Sequence, residues 1–111
     1  MDIITERKAG YIILKLIGRF DAITSNALEE KIMHMIESGE IKLVADCTNL
    51  DYASSSALRV FLLTLKTLKQ KNGQLKLFGL QPQIREVFDI SGFLDLFESY
   101  NNQEQAVGSE S

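Results

Sequence analysis

One cysteine and one histidine occur in 111 residues. A lone Cys47 excludes an internal disulfide framework and any cysteine-based metal cluster. A lone His34 excludes multi-histidine metal sites and leaves little from which to build a Ser-His-Asp triad. Long apolar runs are also missing: none approaches the roughly 20 residues that span a bilayer, so no membrane contact is expected. Strong positive charge is missing too, since 12 basic and 15 acidic residues give a net charge of −3. That balance speaks against a general nucleic-acid binder, which needs a basic face. The opening residues, MDIITERKAG, mix acidic and basic side chains, so no signal peptide is expected and the cytoplasm is the default compartment. Composition otherwise is ordinary, at 45% apolar and 24% charged, which excludes a disordered or collagen-like chain. A chain of this size makes one domain and buries roughly 65% of its extended surface. These absences point away from most enzymes, with no cofactor or metal expected, and towards a small monomeric module.

Residues Ile3 to Arg7 read as a short strand, Ala9-Gly10 as a turn, and Tyr11 to Ile17 as a β-branched and aromatic strand that stops at Gly18. The pair is a β-hairpin. Gly18-Arg19-Phe20-Asp21 reads as a loop. From Ala22 to about Ser38 the period becomes helical, with Ala27, Leu28, Ile32, Met35 and Ile36 on one side. The run Ile41 to Ala45, ending in Asp46, suits a strand covered on both faces. Cys47 to Ala53 reads as a loop, and the serines Ser54, Ser55 and Ser56 precede an apolar helix from Ala57 to about Lys71. Asn72-Gly73 ends that helix, with Lys66, Lys69 and Lys71 at its negative end. Gln74 to Phe78 is a further strand. Pro82 suits the first residue of a third helix that reaches Ile90 and breaks at Ser91-Gly92. Phe93 to Phe97 make a last helical turn and edge strand. The expected fold is therefore α/β: a mixed, largely parallel sheet of four to five strands with packed helices, in the order ββαβαβα(β). The domain is expected over residues 1–100, with a polar, disordered tail over 101–111.

The segment from Asp46 to Arg59 carries the most information. A buried strand ends, a loop follows, and serines open a helix. Sites in open α/β sheets gather at the carboxyl ends of strands. Helix N-termini present free N–H groups and partial positive charge, which suit a phosphate. A serine there could carry a phosphoryl group, gaining a charge of about −1.5 to −2. The bland alternative is a helix cap, since serine is among the best N-cap residues.

This segment resembles the signature of STAS domains, in particular the bacterial anti-sigma factor antagonists. Asp46-Cys47-Thr48 stands for the family's Asp-apolar-Ser turn. Tyr52-Ala53-Ser54-Ser55-Ser56-Ala57-Leu58-Arg59 stands for its aromatic residue followed by Asp-or-Ser, Ser, a small residue, Gly and Leu. Gly18-Arg19-Phe20-Asp21 is similar to the Gly-x-x-Asp loop before the first helix. Val87 to Phe93 is similar to the closing Val-x-x-x-Ser-Gly-Leu element. The resemblance covers nearly the whole chain. It departs from the pattern where Ser54 replaces an aspartate and Ala57 replaces the motif glycine.

The resemblance implies partner switching. The unphosphorylated antagonist binds an anti-sigma factor that is itself a serine kinase, and this frees the sigma factor. Phosphorylation of a serine two residues before the motif glycine releases the kinase, and a serine phosphatase resets the cycle. By position that serine is Ser55, with Ser54 the second choice. Asp21, Ser54, Ser56, Ala57 and Arg59 are the implied partner-binding residues. A non-phosphorylated STAS interaction module, in a sensory or lipid-transport complex, is the alternative that the two departures favour.

Other residues have plainer readings. Asp21 suits both an N-cap and a kinase contact. Asp46 and Asp51 could form an acid–base pair, but without a nearby base they read as turn residues, as does Thr48. A helix-terminal serine hydrolase would need a base for its nucleophile and a Gly-x-Ser-x-Gly elbow, and both are missing. Cys47 reads as a small core or loop residue and His34 as a partly exposed helix residue. Leu58, Phe61, Leu62, Leu65 and Leu68, widened by Val60 and Leu63, fit either helix packing or a docking face. Lys66, Lys69, Lys71 and Lys76 read as a solvated helix end, and Ser91-Gly92-Phe93 as a helix stop with an aromatic plug.

Overall fold

Strands β1 (Asp2–Lys8) and β2 (Tyr11–Phe20) form the expected N-terminal hairpin. Ala9 and Gly10 both take positive φ, 55° and 85°, as the tight turn of a two-residue hairpin requires. A computed structural model describes residues 2–108. In chain order the remaining elements are α1 (Ala22–Glu37), β3 (Lys42–Asp46), β4 (Leu50–Ala53), α2 (Ser55–Gln70), β5 (Gln74–Phe78), α3 (Pro82–Ile90), a 3₁₀ turn (Leu94–Leu96), β6 (Glu98–Tyr100) and α4 (Gln103–Gly108). The strands run in the order β1-β2-β3-β5-β6, with β4 beside the far end of β2. All pairs except the hairpin are parallel. The fold is the expected α/β class, with one strand more than the sequence reading provides.

That extra strand is β4, in the segment read as a loop. Gly18 is the reason. Its φ of 98° lies where only glycine is at ease, and the pairing register slips between Gly18 and Arg19. The kink lets β2 leave β3 and continue, as Gly18 to Phe20, alongside β4. A glycine read as a strand terminator is a bend within a longer strand.

Alternation along the strands feeds two cores. Leu14, Leu16, Leu43, Ala45, Leu75 and Leu77 face the layer of α1, α2 and α3. Tyr11, Ile13, Val44 and Phe78 face the other side, where Ala106 of α4 joins them. The buried run of β3 is thus covered on both faces, as its composition predicts. Phe88 of α3 sits between Phe61 of α2 and Phe97, with ring centroids 5.8 and 5.6 Å away. This aromatic contact fixes the end of α3 against α2.

Three expectations change here. Ala27, assigned to the inner face of α1, is exposed, and Ser25 takes an inner position with Leu28, Ile32 and Ile36. Lys76, grouped with the solvated lysines, is 2% exposed. Strand alternation sends it to the second face, where Nζ donates to Tyr11 Oη at 2.9 Å and to the Ala106 carbonyl at 3.1 Å. Residues 103–108, read as polar tail, form α4, and Ala106 is wholly buried. The last three positions of that tail lie outside the described residues. Among the described residues no helix is long and apolar enough to cross a membrane.

Candidate functional site

β2 and β4 end side by side. Phe20 is in register with Ala53, and its carbonyl accepts the Ser54 N–H at 3.0 Å. Each strand passes directly into a helix: α1 is capped by Asp21 and α2 by Ser54. Two helix N-termini therefore emerge together at the carboxyl edge of parallel strands, where ligands and partners commonly gather.

Asp21 caps α1, the first of the two roles the sequence allows for it, and its side chain is exposed. Its Oδ1 accepts the N–H groups of Ile23 and Thr24 at 3.0 and 2.9 Å, and Thr24 Oγ1 accepts the Asp21 N–H at 2.8 Å. This is a capping box with threonine in the third position. The Thr24 backbone bond, then the Thr24 hydroxyl, hold the Asp21 carboxyl below the usual carboxylate range.

The three serines have three different positions. Ser54 is the N-cap, and its Oγ accepts the Ala57 N–H at 3.2 Å. Ser55, the first helical residue, is exposed, and its hydroxyl has no hydrogen-bond partner among the described residues. Ser56 is half-buried. Ala57, in the motif glycine's place, has no exposed surface. Its methyl turns into the core, so it cannot be one of the partner contacts expected of it, and its effect is confined to helix and packing.

Ser55, Leu58, Arg59 and Leu62 of α2 face Ser91 and Phe93 across an open groove of about 360 Å³. Ile90, next to Ser91, is 78% exposed. On the other side of the α2 N-terminus, the Arg19 guanidinium lies 4.3 Å from the ring centroid of Tyr52, its partner in register on β4. Tyr52 is 39% and Ile23 80% exposed. Exposed apolar and cationic groups thus lie on the strand ends and helices that meet at this edge. Of the residues that widen the α2 stripe, Val60 is buried and Leu63 is 40% exposed, while Leu58, itself buried, and Leu62 line the groove.

The remaining candidates are structural. Asp46 Oδ1 accepts the Thr48 N–H at 3.0 Å, closing a turn. Gln81 Nε2 donates to the Thr48 carbonyl at 2.9 Å and reaches Asp51 Oδ1 at 3.4 Å, bracing the loop against the start of α3. Gly79 belongs to the same support: a Cβ there would stand 2.5 Å from Thr48 Oγ1. Cys47 is fully buried, and burial, with a smaller contribution from Asp46, pushes its thiol far above the usual range. Such a thiol is inert. His34 is exposed in the second half of α1. Among the described residues no group of three or more His, Cys, Asp or Glu side chains could hold a metal ion.

The resemblance groups Asp21 with Ser54, Ser55 and Arg59, and the register of β2 with β4 brings the starts of α1 and α2 to one edge. The sequence misses the groove. Ser91 and Phe93, read as a helix stop without chemistry, form its far wall, and only the packing of α3 on α2 reveals this.

Comparison with known proteins bears on this arrangement. The STAS domain family pattern matches residues 2–106. A Bordetella bronchiseptica protein, BtrV, which carries the name of an anti-sigma factor antagonist by assignment, is 38% identical over 109 residues, covering 98% of this chain and 94% of its own. The anti-sigma-B factor antagonist of Listeria monocytogenes is 32% identical over 107 residues, covering 96% and 93%. The anti-sigma factor antagonist SpoIIAA, solved in its unphosphorylated form, superposes with a TM-score of 0.83 at 19% identity over 99% of both chains. The phosphorylated form of SpoIIAA, a Bacillus cell fate determinant, gives 0.77 at 21% identity, over 97% and 98%. At these identities the likeness to solved structures concerns the fold.

Proposed function

The chain belongs to the STAS domain family, and from that premise we propose that it is an anti-sigma factor antagonist working by partner switching. Unphosphorylated, it binds an anti-sigma factor that is also a serine kinase, and the sigma factor is freed. Phosphorylation of Ser55 releases the kinase, and a serine phosphatase restores the binding form. Relatives named anti-sigma factor antagonists over nearly the full chain support the regulatory role, and SpoIIAA, which shares the fold, is known in both phosphorylation states.

One observation favours Ser55 in particular. Ser54 Oγ is engaged in capping α2, Ser56 is half-buried, and of the three only Ser55 is exposed, with its hydroxyl unengaged among the described residues. A phosphate there gains from the helix N-terminus and adds charge without disturbing the core. The surroundings suit a protein partner: Tyr52, Ile23 and Ile90 are exposed, and Asp21, Arg19 and Arg59 supply charge beside them. An interface that loses about 3 kcal/mol on modification weakens roughly 150-fold, enough for a switch.

Titration calorimetry with the anti-sigma factor kinases encoded in the same genome tests the reading. The unmodified chain should bind and Ser55→Glu should bind at least tenfold more weakly. Failure of the unmodified chain to bind any such factor, or binding by Ser55→Glu and by the phosphorylated chain as tight as that of the unmodified chain, would overturn it.

A further inference from the structure

Arg59 lies one helical turn after Ser55, and both line the groove between α2 and the turn that follows α3. Residues four apart on a helix are surface neighbours. Arg59 is exposed and enters no ion pair among the described residues. It is also the one ionisable side chain among the described residues lining the groove, whose other walls are Leu58, Leu62, Phe93 and two serines. A lone cation thus faces an apolar groove beside the hydroxyl assigned to modification.

Resting on the phosphorylation reading, we propose that Arg59 is a clamp for the phosphate on Ser55 and that its capture is part of the switch. The kinase transfers the γ-phosphoryl group of ATP: the Ser55 Oγ–P bond forms, the bond from phosphorus to the ADP oxygen breaks with its electron pair kept by ADP, and the hydroxyl proton passes to a base of the kinase. The product carries a charge of about −1.5 to −2. The planar guanidinium can hold two phosphate oxygens at once. The modification then acts twice. It sets an anion at the mouth of the groove, and it withdraws the cation that a carboxylate of the bound partner would meet there. Ser54, whose oxygen is occupied by the Ala57 N–H, keeps the helix start in place throughout.

The test uses the full chain with phosphoserine placed at position 55 during translation, so no kinase is needed. Phosphorus NMR then follows the titration of the phosphate, and the Arg59 side-chain N–H resonance is followed beside it. The second pKa of the phosphate should lie below that of a free phosphoserine peptide, near 6. Arg59→Gln should raise it by about half a unit, and Arg59→Lys should recover only part of the difference. Glutamine is a good helix former at an exposed site, so the fold should survive, as amide spectra would verify. An identical phosphate titration with arginine, lysine and glutamine, with the Arg59 resonance unmoved by phosphorylation, would overturn the clamp. The outcomes separate from those of the switch itself. An unmoved titration in a phosphorylated chain that no longer binds its kinase sinks the clamp and leaves the switch standing. A moved titration in a phosphorylated chain that still binds sustains the phosphate contact, sinks the switch and overturns the part assigned to Arg59 in it.

Discussion

Ser54 Oγ accepts the backbone N–H of Ala57 at 3.2 Å, and this bond ties Ser54 to the helix on which Ser55 is displayed. The two serines should therefore separate in measurement. Ser54→Ala removes the cap and should cost about 1 kcal/mol in urea unfolding. Ser54→Asp, which restores the aspartate of the family pattern, should keep the cap and its stability. Ser55→Ala should change stability by less than about 0.5 kcal/mol, as for other exposed positions without a structural partner, while abolishing modification.

Ala57 makes a converse prediction. It exposes no surface, so restoring the motif glycine should not improve binding of any partner by direct contact. Ala57→Gly loses a buried methyl and helix propensity, and should destabilise by about 1–2 kcal/mol. Ala57→Leu should cost about 1–3 kcal/mol through overpacking. A tenfold gain in partner affinity from Ala57→Gly would contradict the burial argument.

Asp21 predicts a pH dependence. Its folded carboxyl lies below the usual range because Thr24 and Ile23 donate to it, whereas the unfolded group titrates near the ordinary value of about 3.9. Between these two values the unfolded chain binds the extra proton, so stability rises with pH there. The contribution is fully present above the unfolded value and is lost as pH falls through the folded one. Asparagine keeps a capping oxygen but not the charge, so Asp21→Asn should flatten the acid limb of stability against pH below about 4. An acid limb identical in both proteins would contradict the assignment.

Lys76 and Tyr11 form a buried pair whose energetics can be tested by a double-mutant cycle. Tyr11 Oη accepts from Lys76 Nζ at 2.9 Å and donates to Gln74 Oε1 at 3.1 Å. Tyr11→Phe removes an acceptor from a buried ammonium and should cost about 1.5–3 kcal/mol. Adding Lys76→Met, which replaces the ammonium by an apolar group of similar length, should recover most of that loss. Additive costs would show that the pair is not coupled.

Legibility in the sequence follows the range of the signal. The hairpin, α1, α2, β5 and α3 are readable because their period and their stop residues are local: Gly10, Asn72-Gly73 and Pro82 mark turns, an end and a start. β4 is not readable. Its four residues, LDYA, have no pattern of their own, and only the bend at Gly18 gives them a partner. Lys76 and α4 escape the sequence reading together, because each is buried by the other across 30 residues of chain. Ser55, Ser54 and Asp21 are legible through their places before apolar helices and through the family pattern. The groove is not, since Phe93 reaches Ser55 only through the packing of α3 on α2.

The central claim, that Ser55 carries the switch, is tested most directly by site-mapped mass spectrometry of the intact chain. The chain would be incubated with ATP and each kinase-like anti-sigma factor encoded in the same genome. The account predicts one phosphate, on Ser55, absent from Ser55→Ala and present on Ser54→Asp. Phosphate on Ser54 or Ser56 in place of Ser55, or a stable complex that never becomes phosphorylated, would contradict it.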